Sequence, residues 1–238
     1  MRDVLDLGEL HAEVTRKAIK HVHLSVLPPA GKVRVAAPQA MPLDTIRLFV
    51  VGKLSWIRSQ QRKLRSQERE TPREYLNKES HYLWGKRYLL EVRHADTAPV
   101  VSLSPRKLYL QVRPGAVPAR CEEVLDAWYR QQVHEAVTAL LAKWESLLRV
   151  KAKRVFVQRM KTKWGSCTPE SGYIRLNTDL AKKPPECLEY ILVHELAHLL
   201  EPTHNERFVA LMDFYLPHWQ QLRKRLNSLP VRHEEWGY

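Results

Sequence analysis

The sequence predicts an α+β fold with a β-rich first part and a mixed second part. Two patterns support this prediction. Short segments in which apolar and polar residues alternate are concentrated before residue 115, and long segments with helical apolar spacing follow it. The 238 residues suffice for one large or two small domains. We expect a β-rich region with a helix over residues 1–115 and a second domain over residues 116–238.

The first part is predicted to contain a hairpin, a helix and further strands. Residues 19–27 alternate between apolar and polar, and residues 32–37 repeat the pattern after a turn at residues 28–31. Residues 43–69 carry apolar side chains at helical spacing, which predicts one helix with a strongly charged outer end. Two further segments, residues 82–92 and 107–113, are expected to be strands around turns that contain Pro and Ser.

The second part opens with a long amphipathic helix, predicted over residues 119–148. Residues 154–160 follow as a strand. Residues 163–167 and 173–177 then form a hairpin around a turn at residues 168–172 that contains Pro, Ser and Gly. A small antiparallel sheet packed with helices is therefore expected directly before the next segment.

That next segment carries an H-E-x-x-H motif at residues 194–198 in a strongly apolar helix. Residues four apart lie on one helix face, so His194 and His198 can reach the same metal ion. Glu195 lies roughly 100° around the helix, beside such an ion, where its carboxylate can take a proton from water. The alternative is that both histidines are surface or hydrogen-bonded core residues of an amphipathic helix.

A third histidine follows where the chain turns. Pro202 cannot continue a helical hydrogen-bond ladder, so we expect the helix to end near residue 200 or 201. Thr203 and Glu206 have the spacing of a capping box, which predicts that His204 opens a new helix. Three histidine ligands leave tetrahedral zinc one position for water, as in catalytic sites. Glu206 is a possible third ligand in place of His204.

The N-terminal residues, the apolar segments and the cysteines together indicate where the protein is expected to reside. The first residues are charged and carry no apolar run, so no secretory signal is expected, and no apolar segment approaches the roughly 20 residues of a membrane span. Cys121, Cys167 and Cys187 are widely spaced and lack a C-x-x-C motif. They are typical of reduced thiols, and we expect a soluble, cytoplasmic protein without membrane contact.

The net charge of the chain at pH 7 is strongly positive, at +13. Residues 151–183 contain nine Lys or Arg but only two acidic residues, Glu170 and Asp179. Such a segment attracts polyanions, so it predicts contact with nucleic acid, with nucleotides, or with protein substrates held on nucleic acid. A second basic run at residues 58–73 lies on the predicted helix and is typical of a solvated surface.

The sequence does not set the oligomeric state.

Several of these segments together resemble the YgjP-like metallopeptidase family. The matching segments are Trp164-Gly165-Ser166-Cys167, Ile174-Arg175-Leu176-Asn177, Tyr190, residues 193–199, His204, Phe208 and Pro217-His218-Trp219. The resemblance implies a minimal zincin core, related in outline to SprT-like proteases, with an N-terminal β-rich extension. It also implies zinc ligation by His194, His198 and His204, with Glu195 as general base. Members are labelled both as metallopeptidases and as nucleoside triphosphate (UTP) pyrophosphatases.

The spacing of the histidines also resembles that of metzincins. Those proteins have a glycine where this chain has Glu201, and Met212 lies inside a predicted helix rather than in a methionine turn. Metzincin membership is therefore disfavoured.

Peptide-bond hydrolysis is the leading hypothesis, with zinc-bound water activated by Glu195 and a protein or peptide substrate. Gly165 either lets another backbone approach closely, as an added substrate strand does, or relieves a bulge. Candidate oxyanion donors are Tyr190, Arg175, Tyr215 and His218. The alternatives are a UTP pyrophosphatase that uses the same metal site, although no P-loop is present, and a nucleic-acid-associated protein with structural zinc.

Overall fold

The protein is described by a computed structural model that covers residues 2–28 and 31–232. The chain divides into two compact units. The first comprises the described parts of residues 1–70 and 230–238, and the second is Thr71–Leu229. The expected hairpin at residues 19–37 lies in the first unit, but part of its turn, residues 29 and 30, falls outside the described residues.

The first unit is a four-stranded sheet with two helices. Its strands are β1 (Arg2–Asp6), β2 (His11–Lys17), β3 (His23–Leu27) and β4 (Lys32–Pro38), in the order β1-β2-β4-β3. The central pair, β2 and β4, is parallel and the outer pairs are antiparallel. Helices α1 (Leu43–Val51) and α2 (Leu54–Ser66) follow, and Ile46, Val50 and Ile57 are buried in the core of this unit.

The second unit begins with a sheet of the same connectivity. Strands β5 (Ser80–Leu83), β6 (Lys86–His94), β7 (Val100–Leu103) and β8 (Lys107–Val112) take the order β5-β6-β8-β7, again with a parallel central pair. The turn from β5 to β6 places Trp84 and Gly85 at positive φ, 49° and 76°, which favours glycine at the second position. The amide of Trp84 donates to the carbonyl of Ala181 further along the unit.

Helices and a third, smaller sheet complete this unit. The elements, in chain order, are α3 (Pro118–Leu148), β9 (Arg154–Gln158), β10 (Gly165–Thr168), β11 (Tyr173–Asn177), a 3-10 helix (Thr178–Lys182), α4 (Pro185–Ala197), α5 (Glu206–Tyr215) and α6 (Trp219–Ser228). The sheet order is β10-β11-β9, so β10 lies at an edge. Helix α4 contacts α3, α5, α6, β10 and β11, which makes it the central helix of the unit.

One apolar core joins these elements. Leu90, Leu108 and Leu110 of the second sheet belong to the same buried cluster as Leu125 of α3 and Leu192 of α4. The expected boundary near residue 115 therefore falls inside the second unit, and the division lies after residue 70. The sequence pattern groups the second sheet with the first, whereas shared buried residues group it with α3 and α4.

Three other expectations need correction. The helix expected over residues 43–69 is two helices, because the chain breaks at Gly52 and Lys53. Strands β1, β2 and β7 were not expected. The sheet before α4 is mixed rather than antiparallel, since β9 runs parallel to β11. The α+β class is confirmed, as are the β3–β4 hairpin and the β10–β11 hairpin.

Within the described residues, no helix is both long and apolar enough to cross a membrane.

Candidate metal centre

Helix α4 carries His194 in its last turn, and His198 is its C-cap residue. It begins with Pro185 at its first turn, where a missing amide proton costs nothing, and most of its residues are buried. His194 and His198 lie one turn apart with ring centroids 4.9 Å from each other. Regular helix ends at Ala197, slightly before the expected end, and a turn with hydrogen bonds to the carbonyls of Leu196 and Ala197 continues to Glu201.

His204 reaches the same place from the loop between α4 and α5. The expected capping box is wrong, because α5 starts at Glu206 and its N-cap is Asn205, whose side chain accepts from the Phe208 amide at 3.0 Å. Thr203 instead donates to the Glu201 carboxylate and accepts from the Asn205 amide group. His204 thus directly precedes a capped helix rather than opening it.

The three imidazoles converge on one point. One ring nitrogen from each of His194, His198 and His204 lies within 4.8 Å of the others. The Nε2 atoms of His194 and His204 are 3.0 Å apart. Two ligands of a tetrahedral zinc ion, each about 2.0–2.1 Å from the metal, are separated by roughly 3.4 Å. Two neutral imidazoles with lone pairs at this distance repel one another unless a cation or a proton lies between them.

The remaining ring nitrogen of His198 sets its orientation. Nδ1 lies 3.1 Å from the carbonyl oxygen of Glu201, which accepts hydrogen bonds and so requires a protonated Nδ1. The lone pair of His198 is therefore on Nε2. A hydrogen bond of this kind behind a ligating imidazole is the usual support in protein metal sites. The donor set and its geometry fit a metal ion that prefers nitrogen ligands.

Phe208 fixes the planes of all three rings. It is 1% exposed, stacks on His198 at 4.6 Å between centroids, and meets His194 and His204 edge-on at 4.9 and 4.8 Å. Because α5 is capped at Asn205, the position of Phe208 and that of His204 are set by the same helix start.

Burial keeps two of these imidazoles in the form that binds metal. Burial, followed by the charges of His198, His204 and Arg223, lowers the pKa of His194 to about 3. Burial, His198 and Arg223 lower the pKa of His204 in the same direction. Neutral imidazole is the ligand form, so no proton has to be removed from these residues at neutral pH.

Glu195 lies beside the cluster in a low-dielectric environment. It is 5% exposed, and this burial raises the pKa of its carboxyl to about 8, against the opposing charge of Lys163. Gly165 of β10 packs directly on it. A Cβ atom at position 165 would lie 2.6 Å from Glu195 Oε1 and 2.8 Å from Ile191 Cγ2. The close neighbour of Gly165 within the chain is thus the Glu195 side chain.

A cleft of about 540 Å³ opens over these residues. His194, Glu195 and His204 line it, together with Gly165 from the sheet edge. Of the candidate oxyanion donors, Tyr190 lines the cleft, whereas Arg175, Tyr215 and His218 are not among its lining residues. Arg175 lies instead over the ring of Phe156, 5.7 Å from its centroid.

Sequence reasoning missed one charged lining residue, Arg223 of α6. It belongs to no motif, and only its place on a helix that packs against α4 brings it to the cleft. The available sequence signal was the helical spacing of Arg223, which follows Trp219 by four residues and precedes Leu226 by three; both of these residues are buried.

The basic segment at residues 151–183 is less open to polyanions than its composition indicates. Arg159 pairs with Glu122 at 3.0 Å, and Lys182 pairs with Asp179 at 3.1 Å in a largely buried position. Lys163 lines the cleft. Contact between this segment and nucleic acid stays a prediction.

Three converging imidazoles and an adjacent buried carboxylate are the donor set of a metal-dependent hydrolase. The family model of the YgjP-like metallopeptidase domain matches residues 20–229. The chain belongs to this family, as the resemblance in its motifs predicted, and a metal cofactor is implied by that membership.

Two solved structures share a limited likeness with the chain. The metallopeptidase zymogen of Pyrococcus abyssi abylysin is 25% identical, with 38% of this chain and 90% of that chain covered and a TM-score of 0.36. The metallopeptidase zymogen of Methanocaldococcus jannaschii jannalysin is 22% identical, with 40% and 86% covered and a TM-score of 0.33. A search of curated proteins found no match.

Proposed function

We propose that this protein is a zinc-dependent peptidase in which His194, His198 and His204 bind the metal and Glu195 is the general base. The observation that carries the proposal is the convergence of three histidine nitrogens within 4.8 Å beside a carboxylate that lines the same cleft. A zinc ion held there would supply a Lewis acid that polarises a carbonyl group and makes water more acidic.

Glu195 performs the proton transfers. Its carboxylate takes a proton from the attacking water and then gives it to the leaving amine, so one residue acts first as base and then as acid. A zinc ion bound by the three histidines would favour the ionised carboxylate, whereas burial favours the protonated one. These opposing effects suit a group that must both accept and release a proton near neutral pH.

Strand β10 is the expected support for an extended peptide. It pairs with β11 on one side and is the edge strand of its sheet, so its other backbone edge is open to an added strand in the described part of the chain. Gly165 of this strand packs against Glu195. A peptide along β10 therefore passes the proposed base.

The test compares wild type with Glu195→Gln, each shown to contain the same amount of zinc, on an unfolded protein substrate. Loss of the base is expected to lower kcat by about 100-fold or more without loss of zinc. Glu206→Gln is the matched control, because Glu206 is exposed, lies outside the histidine cluster, and was the alternative third ligand. Equal proteolysis by wild type and Glu195→Gln would overturn the proposal.

UTP hydrolysis is the second candidate, and one observation favours it: Lys163 and Arg223 both line the cleft, which suits an anionic substrate. Wild type and Glu195→Gln are therefore also assayed with UTP. Pyrophosphate release that requires Glu195, in the absence of proteolysis, would replace the peptidase assignment.

A structural zinc in a nucleic-acid-associated protein is disfavoured. Such sites use four protein ligands, and the metal-binding cluster found within residues 2–28 and 31–232 has three.

A further inference from the structure

We propose that Arg223, with Lys163, forms an anion subsite in the cleft that selects peptides carrying a carboxylate next to the cleaved bond. This inference rests on the proposed peptidase function and specifies its substrate. The two cations come from different elements, α6 and the segment before β10, and both line the cleft that contains Glu195.

The placement of Arg223 follows from the helix that carries it. Trp219 and Leu226 are buried, and Arg223 lies four residues after the first and three before the second, on the same face of α6. Asn227, four residues further on, also lines the cleft. Arg223 is itself exposed, and it lines the cleft together with Trp219 and Leu226.

Within residues 2–28 and 31–232, neither cation lies in a salt bridge. Among the described residues that line the cleft, Glu195 is the sole carboxylate, and Arg223 and Lys163 form no ion pair there. A nearby cation shows the contrast: Arg225 pairs with Glu186. Asp213, close to α6 in the chain, accepts instead from Trp219 Nε1 at 2.6 Å.

The field of Arg223 extends over the histidine cluster. Its charge acts on Tyr190, His194 and His204, while that of Lys163 acts on Glu195. Unpaired cations in a concave site concentrate anions there, because low-dielectric walls screen them less than water does. An anionic group of the substrate would therefore lie close to the reacting bond.

Carboxylate is the anion that a peptide supplies. A guanidinium group binds it through two parallel hydrogen bonds, which gives direction as well as charge. The carboxylate can belong to an Asp or Glu side chain or to a free C-terminus. Phosphate would bind by the same chemistry, so UTP serves as a comparison.

The experiment uses zinc-loaded enzyme and peptides that differ only at one position beside the cleaved bond, Glu against Gln, with C-terminal acid against amide as a second pair. Wild type is expected to prefer the charged member by about tenfold, chiefly through a lower KM. Arg223→Gln should remove the preference, and Arg223→Glu should reverse it in favour of a Lys-containing peptide. Lys224→Gln, the exposed neighbour that does not line the cleft, should behave as wild type.

The side-chain and C-terminal pairs identify which carboxylate is recognised. Equal kcat/KM for charged and neutral members of both pairs would overturn the subsite, as would an unchanged preference in Arg223→Glu. UTP binding that depends on Arg223, with no preference among peptides, would overturn the assignment to a peptide carboxylate.

Binding separates this inference from the proposed function. The affinity of each peptide for zinc-loaded Glu195→Gln is measured by calorimetry, with the same substitutions of Arg223 added. Charge-selective binding without cleavage by wild type would reject the peptidase and keep the subsite. Cleavage without charge selection in either assay would keep the peptidase and reject the subsite.

Discussion

Gly165 packs against Glu195 with no room for a Cβ atom between them. Either a substrate backbone or a strand bulge was expected to explain the glycine, but the atoms that require it belong to Glu195 and Ile191. Gly165 thus acts within the chain, by letting the sheet edge lie against the proposed base. It also keeps the Glu195 side chain beside the histidine cluster.

Gly165→Ala is expected to displace Glu195 while zinc stays bound, because the added Cβ would lie 2.6 Å from Oε1 and 2.9 Å from Cγ of that residue. A misplacement of about 1 Å in a catalytic group costs on the order of 100-fold in rate. Kinetics on a peptide and zinc content measure the two effects. Gly52→Ala is the control, since its Cβ would meet nothing nearer than 3.5 Å. Full activity of Gly165→Ala would show that Glu195 has room to move.

The sequence alone predicts some residues of the site but not others. Helical periodicity alone places His194 and His198 together, and Pro202 indicates that the chain turns before His204. Arg223 has only its helical spacing from Trp219 and Leu226 as a signal, and its approach to the cleft depends on how α6 packs on α4. The contact of Phe208 with all three imidazoles likewise depends on tertiary packing.

At the scale of elements, the start of α5 decides where the third histidine lies. Asn205 rather than Thr203 caps the helix, since the Asn205 side chain accepts from the Phe208 amide. Both residue types are good N-caps, and a glutamate three residues after Thr203 favoured the wrong one. Local sequence predicted that a cap exists here but not which residue forms it.

Asn205→Ala is expected to lower the free energy of unfolding by about 0.5–2 kcal/mol, the usual cost of losing an N-cap. It should also weaken zinc binding, because the loop that holds His204 loses its anchor. Thr203→Ala should change both quantities less, since Thr203 is exposed and bonds only to neighbouring side chains. Urea unfolding and zinc titration measure both variants. A larger loss of stability and of zinc affinity in Thr203→Ala than in Asn205→Ala would mean that Thr203 caps the helix.

The strands show a similar division between local and tertiary information. The β3–β4 and β10–β11 hairpins have alternation and turn residues within one short segment, so they were predictable. The parallel pairing of β9 with β11 joins residues about 20 positions apart in the chain. No local pattern encodes such pairing, which depends on α3 and the sheet packing into one core.

At the scale of the whole molecule, one buried histidine away from the site links stability to pH. His81 of β5 is 4% exposed, with Nε2 2.9 Å from Glu79 Oε1. Burial, followed by the charge of Arg73, lowers the pKa of His81 to about 4, although Glu79 opposes the shift. The folded protein therefore holds His81 neutral over a range in which the unfolded chain binds a proton.

Stability should fall as the pH drops from about 6.5 to about 4, because the unfolded state binds more protons in this window. The contribution of His81 is complete above pH 6.5 and is on the order of 1–3 kcal/mol. The free energy of unfolding in urea is measured for wild type and His81→Gln at pH 7.5 and pH 5. The difference between the two proteins isolates the contribution of His81, since the other titrating groups are common to both. An equal loss of stability in the two proteins would exclude His81 as its source.

Zinc ligation by His194, His198 and His204 is the central claim, and X-ray absorption at the zinc edge tests it most directly. We predict one zinc ion per chain with three imidazole nitrogens at about 2.0–2.1 Å and one oxygen ligand, and a loss of imidazole scattering in His204→Ala. Sulfur scattering, four protein ligands, or a spectrum unchanged by His204→Ala would contradict it.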